Sequence, residues 1–259
     1  MPLSVLRQAA RSQILPPPLR ARVAVSVWVR SILLGDRQTA LALAPAVSDL
    51  LPDLKPSLDA WLAAKTRDEQ RFEAAFIMLL NPGIRPYVDP GFLSAAPLGG
   101  MEFLTNNWWP AFKSVAFPSP QAPAGPAPAQ ATVASYPSFL SAGERKAADR
   151  EWLKLSAIDG PEFLCREALR HARFYPKDGR VPEALSRCIH AVHFGPTDDR
   201  CDELAESAFH LLHRRYPDSA WVWDNHFWYR GRGSMSSLDE YFGSLTSYYG
   251  AIAAPWGAP

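Results

Sequence analysis

Residues 161–219 read PEFLCREALRHARFYPKDGRVPEALSRCIHAVHFGPTDDRCDELAESAFHLLHRRYPDS. Leu164, Ala168 and Ala172 keep helical spacing up to Tyr175-Pro176. Ala184, Leu185, Cys188, Ile189 and Val192 form one apolar face up to Gly195-Pro196, and Leu204, Ala205, Ala208, Leu211 and Leu212 form another up to Tyr216-Pro217. Apolar positions at i, i+3, i+4 and i+7 are the mark of amphipathic helices. The Tyr-Pro pair recurs 41 residues apart, each time closing an alanine-containing helix. Small residues let neighbouring helices approach closely, and the proline stops the helix and turns the chain into the next hairpin. The stretch therefore predicts an all-α protein whose helical hairpins stack as a short solenoid, each unit burying a face that it cannot bury alone.

Working back from this stretch, Asp159-Gly160-Pro161 suits a helix start, since proline is tolerated at the first helical position. Ser141 and Glu144 form a capping box, which predicts a helix to about Ser156. Between 84 and 140 periodicity disappears and Gly and Pro recur. The Pro/Ala-rich run 118–128 predicts an extended connection, preceded by Trp108-Trp109-Pro110.

The first 83 residues are helical in pattern. Val25, Trp28, Val29, Ile32 and Leu33 share a face that Gly35 ends, and Asp36 can cap the next helix, with Ala40, Leu43, Val47 and Leu50 in its stripe. Pro45 predicts a kink or break in that helix. Leu58, Trp61 and Leu62 mark a short helix, and Thr66 with Glu69 makes a second capping box before Phe72, Ala75, Phe76, Leu79 and Leu80. The expected organisation is an N-terminal helical subdomain over 1–83, a Trp-containing, proline-rich irregular connection over 84–140, and a helical subdomain over 141–259. From Ser219 the end is aromatic, with a flexible turn at 230–237 and a last helix from Leu238 to Ile252.

Phe174-Tyr175-Pro176-Lys177-Asp178, His213-Arg214-Arg215-Tyr216-Pro217-Asp218-Ser219 and Arg180-Val181-Pro182-Glu183-Ala184-Leu185 resemble the tetratricopeptide-like repeats of bacterial envelope proteins. Outer-membrane assembly lipoproteins and periplasmic Tol-associated proteins carry similar turns, and the closer resemblance is to uncharacterised bacterial proteins that end in this pattern. It covers roughly 160–225 and implies a helical-repeat fold without catalytic residues. It also implies a cysteine near Gly195 and another after the paired tryptophans; here Pro196 and Pro110 stand in those places.

Composition narrows the function classes. A net charge of +1 and 20% charged residues give no general attraction to nucleic acid or to a membrane surface. Through residue 48, Arg7, Arg11, Arg20, Arg22, Arg30 and Arg37 face only Asp36; such an imbalance occurs in targeting segments, and the simpler reading is a helix pair with a solvated basic face. Cys165, Cys188 and Cys201 are an odd, unclustered set and make no disulfide framework. No apolar run is long enough to span a bilayer. Read with Met1 as a true start, the chain stays in the cytoplasm, whereas the resemblance points to the cell envelope.

The chemistry-bearing residues are sparse. His190 with His193 and His210 with His213 are two i, i+3 pairs, a spacing at which both rings could hold one metal ion. His190 lies about 160° around the helix from the Cys188 stripe, however, so exposed or rim histidines beside core cysteines is the simpler reading, with no metal, cofactor or catalytic residue assigned. Gly231-Arg232-Gly233-Ser234 lacks the strand and lysine of a phosphate-binding loop. Trp221, Trp223, Trp228 and Tyr229 with Arg230 form the candidate interaction surface: they either seal the last repeat or stack on a ligand. The reading that follows is a non-enzymatic scaffold for a protein or peptide partner. The alternative is a metal-binding or hydrolytic enzyme with its site between the two helical subdomains.

Overall fold

The computed structural model describes residues 1–88, 137–194 and 199–228. The expected proline-rich connection, Trp108, Trp109, Tyr229, Arg230 and the expected 238–252 helix lie outside the described residues. Among the described residues the chain is all-α. Its helices are α1 (Leu3–Arg11), α2 (Pro17–Leu34), α3 (Arg37–Leu50), α4 (Lys55–Ala63), α5 (Arg67–Leu80), α6 (Ala142–Ser156), α7 (Gly160–Phe174), α8 (Val181–Phe194), α9 (Asp199–Arg215) and the short α10 (Ala220–Trp223), with one 3₁₀ turn at Pro52–Leu54.

Local chemistry sets the ends of these helices. The Asp36 carboxylate accepts from the Thr39 N–H at 3.0 Å, satisfying one of the donors that a helix start leaves unpaired. Both expected capping boxes form, at Thr66/Glu69 and Ser141/Glu144. Gly35 ends α2 in the left-handed region, at φ 75°, a conformation that costs a glycine little. There the Asp36 N–H reaches back to the Ser31 carbonyl at 2.8 Å. Pro17 and Pro18 are the first residues of α2, where proline is tolerated.

Pro45 does not break its helix. α3 runs through it without interruption. The ring is exposed, so the carbonyl four residues earlier, which loses its N–H donor, sits on the solvent side where water can serve it.

Most consecutive helices pack against one another. α2 contacts α1 and α3, and α7 packs on both α8 and α9. α2 is covered on every face from Val23 to Ser31, and Trp28 meets Trp61 of α4 edge to face at 5.5 Å in the centre of the core. Alanines 168, 172, 184, 205 and 208 are buried where α7, α8 and α9 meet. Cys165, Cys188 and Cys201 are buried in the same layer, and the Cys165 thiol donates to the Cys188 carbonyl at 3.5 Å. The two Tyr-Pro turns touch directly: the Tyr216 hydroxyl donates to the Pro176 carbonyl at 2.8 Å.

The helices on either side of the expected 84–140 connection belong to one compact unit, Met1–His226; Phe227–Pro259 forms a second. Within the first unit, α5 packs on α7 and α8, and α6 returns to α1 and α2. Glu151 of α6 accepts from the Leu3 N–H at 2.8 Å and lies 3.8 Å from the Arg30 guanidinium. The solvated basic face expected of the N-terminal helices is thus incomplete: Arg7, Arg11 and Arg37 are exposed, but Arg30 is buried. Replacing Pro45 by alanine restores the missing N–H on an exposed face. Pro45→Ala is expected to raise stability by about 1–2 kcal/mol after allowance for the gain in unfolded-chain entropy, as read by denaturant unfolding. A destabilised variant would show that the helix depends on the proline.

Candidate functional site

The turn between α7 and α8 is built around Asp178 and Arg180. The Asp178 carboxylate accepts from the Arg180 backbone N–H at 3.0 Å and from its guanidinium at 2.8 and 3.1 Å. The same guanidinium reaches across to α5 and donates from Nη1 to both oxygens of Glu73, at 2.7 and 2.8 Å. It lies 5.2 Å from the Phe72 ring centroid and 5.7 Å from that of Phe76, the arrangement in which an aromatic face attracts a cation. Burial alone would raise the Asp178 carboxyl pKa. The bonds from Arg180 and His171 overcome that and hold it far below the usual carboxylate range. Arg180 is raised above its ordinary value, first by its bonds to Asp178 and then, against burial, by Glu73.

His171 completes the network. Its Nε2 lies 2.9 Å from Asp178 Oδ2. Its ring stacks on Phe72 at 3.5 Å, with Tyr175 on the histidine at 4.7 Å. Burial lowers its pKa, against the opposing pull of Asp178. The neutral ring with Nε2–H donating to the carboxylate is the form that fits. The other nitrogen, Nδ1, is enclosed and has no hydrogen-bond partner.

These groups line an open cleft of about 800 Å³ between the α4–α5 corner and the α7–α8 turn. One wall is apolar, from Ala60, Ala63 and Ala64 to Phe174, Tyr175 and Pro176. The charged lining is mostly spoken for. Glu73 and Asp178 are held by Arg180, and Glu69 accepts from the Lys65 and Thr66 N–H groups in its capping box. That leaves the ammonium groups of Lys65 and Lys177 as the exposed charges able to meet a ligand. Among the described residues no serine, threonine or cysteine lines the cleft, and Asp178 joins His171 to Arg180 by hydrogen bonds to both.

The aromatic end divides. Trp221 is half-buried beneath Arg187, whose guanidinium carbon sits 5.6 Å from its ring. Trp223 is 67% exposed and meets His226 edge-on at 5.0 Å. The element that fastens α10 is polar and carries no sequence signal: Asn225 is buried and donates to Ser186 Oγ at 2.8 Å. In the second unit Trp228 is half-buried.

His210 and His213 take separate partners. His213 lies 2.8 Å from the Asn225 carbonyl, and His210 is exposed, 3.7 Å from Glu206. His190, expected at the rim, is half-buried; burial lowers its pKa against a bond to the Asp224 backbone. Among the described residues no three His, Cys, Asp or Glu side chains gather as metal ligands. In comparisons with known proteins, the chain matches no family model, no curated protein and no solved structure.

The lowered His171 pKa has a definite sign. The unfolded chain takes up the proton first as pH falls, so this contribution to stability is complete above about pH 6.5 and declines below it until the native ring titrates. Glu73, Asp178 and Arg180 face the ring alongside Phe72 and Tyr175, and a phenylalanine in place of the histidine would keep the stacking. The loss of stability between about pH 7 and about pH 5 should be smaller in His171→Phe than in the parent, by up to about 1.4 kcal/mol per pH unit. Parallel pH profiles by denaturant unfolding would contradict this assignment.

Proposed function

We propose that this protein is a non-enzymatic helical scaffold of the tetratricopeptide-like kind, and that its cleft holds an extended acidic segment of a protein partner. The observation that carries the reading is the cleft itself: an apolar wall set on a floor whose acids are already neutralised, with Lys65 and Lys177 left at its edge. A pre-organised wall spares a ligand the cost of ordering it, and uncompensated rim cations select and steer an acidic partner. Grooves between helical hairpins are a common means of holding peptides. The exposed Trp223 gives the same unit further apolar contact area. The contrary reading, a hydrolytic or metal site between the helical segments, draws on the Asp178–His171 pair, but the enclosed ring nitrogen does not favour it.

Fluorescence anisotropy with a labelled hexapeptide of alternating Glu and Leu tests the proposal, using its Lys/Leu counterpart as control. The acidic peptide should bind at least about tenfold more tightly than the basic one, and reversing both lysines, Lys65→Glu with Lys177→Glu, should abolish or invert that preference. Equal binding of the two peptides, no binding of either, or a preference unchanged by the double reversal would refute it.

A further inference from the structure

A second flank of α5 lines another cavity, of about 610 Å³. Glu69 and Glu73 face the cleft described above, whereas Arg67, Gln70, Arg71 and Ala74 face this one. At about 100° per residue the two sets centre about 130° apart around the helix. Three arginines line the cavity: Arg37 at the start of α3, and Arg67 and Arg71 on α5. Like charges at i, i+4 repel, and anions that meet such a cluster relieve the repulsion.

The anions within the protein account for just part of the charge. Arg71 is paired with Glu167, and Asp68, the one carboxylate in the lining, is taken by Arg170. Arg37 is held by a neutral group: its Nε donates to Gln70 Oε1 at 2.6 Å, while the buried Gln70 donates onward to the Trp61 carbonyl at 3.4 Å. That bond fixes the guanidinium plane and leaves both terminal nitrogens without an acceptor among the described residues. Arg67 has no acceptor there either. Both side chains stand on the first residue of a helix, where the helix dipole is positive. The cavity also has apolar surface from Ile32, Leu33 and Phe163, and Trp61, which lines it, has an enclosed indole N–H without a partner.

We infer that this cavity binds a small organic phosphate monoester. Two unmatched guanidiniums suit a dianionic head, and the planar fork of arginine fits phosphate oxygens in bidentate geometry. A monocarboxylate would leave one guanidinium unmatched. The apolar surface of Phe163 and Ile32 receives the body of the ligand, so an aromatic ester is preferred over the bare ion. The inference is independent of the peptide reading, which uses Lys65 and Lys177 on the other flank of α5.

Isothermal titration of the full chain with phenyl phosphate is the test, with inorganic phosphate and benzoate as comparators. The expected result is saturable one-to-one binding of phenyl phosphate, with benzoate weaker by about tenfold or more, and with Arg37→Gln and Arg67→Gln each weakening phenyl phosphate by about tenfold. Phe163→Leu should weaken phenyl phosphate and leave inorganic phosphate unchanged, while Lys65→Glu with Lys177→Glu should change neither. Circular dichroism melting of each variant confirms that the fold is retained. No saturable binding of phenyl phosphate up to about 10 mM, weaker than the range of specific small-molecule sites, would overturn the inference. So would affinity that survives in the folded Arg37→Gln, Arg67→Gln double variant.

Discussion

One guanidinium ties α5 to the turn between α7 and α8. Arg180 holds Glu73 of α5 and Asp178 of its own turn at once, and rests on the rings of Phe72 and Phe76. Removing such groups from water is costly, and their attraction offsets the cost only when the remaining hydrogen-bonding positions are filled. The geometry meets that condition. Glu73 receives two bonds from Arg180, and Asp178 receives bonds from Arg180 and His171. Arg180 and Glu73 are 107 residues apart in sequence, so the pair fixes the α7–α8 turn against α5 and with it the wall of the cleft. The flanking pairs, Arg71 with Glu167 and Arg170 with Asp68, extend the same seam along α5 and α7.

The seam also explains why the two flanks of α5 differ. On one flank the acids of the protein are consumed internally and lysines remain at the rim. On the other, the arginines outnumber the acids that meet them. A helix packed on α4, α7 and α8 can present two chemically distinct surfaces only because its apolar residues, Phe72, Ala75, Phe76 and Leu79, are fully used in the core.

Much of this fold is legible in the sequence. The capping boxes at Thr66/Glu69 and Ser141/Glu144, the Asp36 cap and the Gly35 stop are local devices with a local signature, and each forms where the residues stand. Pro45 misleads because its penalty depends on whether the lost bond faces solvent or core, which residue identity alone does not say. Gln70, Glu73 and Glu167 look like the polar sides of their helices and are buried, because periodicity reveals one apolar face and is blind to a distant helix that covers the other. Asp178 reads as a turn residue; its role as the anchor of Arg180 needs α5 in place. The histidine pairs show the same limit. Spacing makes His190 and His193 neighbours, but the Asp224 backbone, supplied by the chain after α9, decides where His190 bonds. At the aromatic end the legible residues, Trp221 and Trp223, are present at the surface of the unit, whereas the buried Asn225 that fastens them carries no pattern to find.

A double-mutant cycle across the seam bears most directly on this account. Stability would be measured for the parent, Glu73→Gln, Arg180→Gln and the double variant by denaturant unfolding. A coupling energy of about 1.5–3 kcal/mol between the two positions is expected for a partly buried, hydrogen-bonded charge pair. Additivity to within about 0.5 kcal/mol would mean that Arg180 and Glu73 do not hold α5 to the turn, and the cleft would lose the wall on which its proposed function rests.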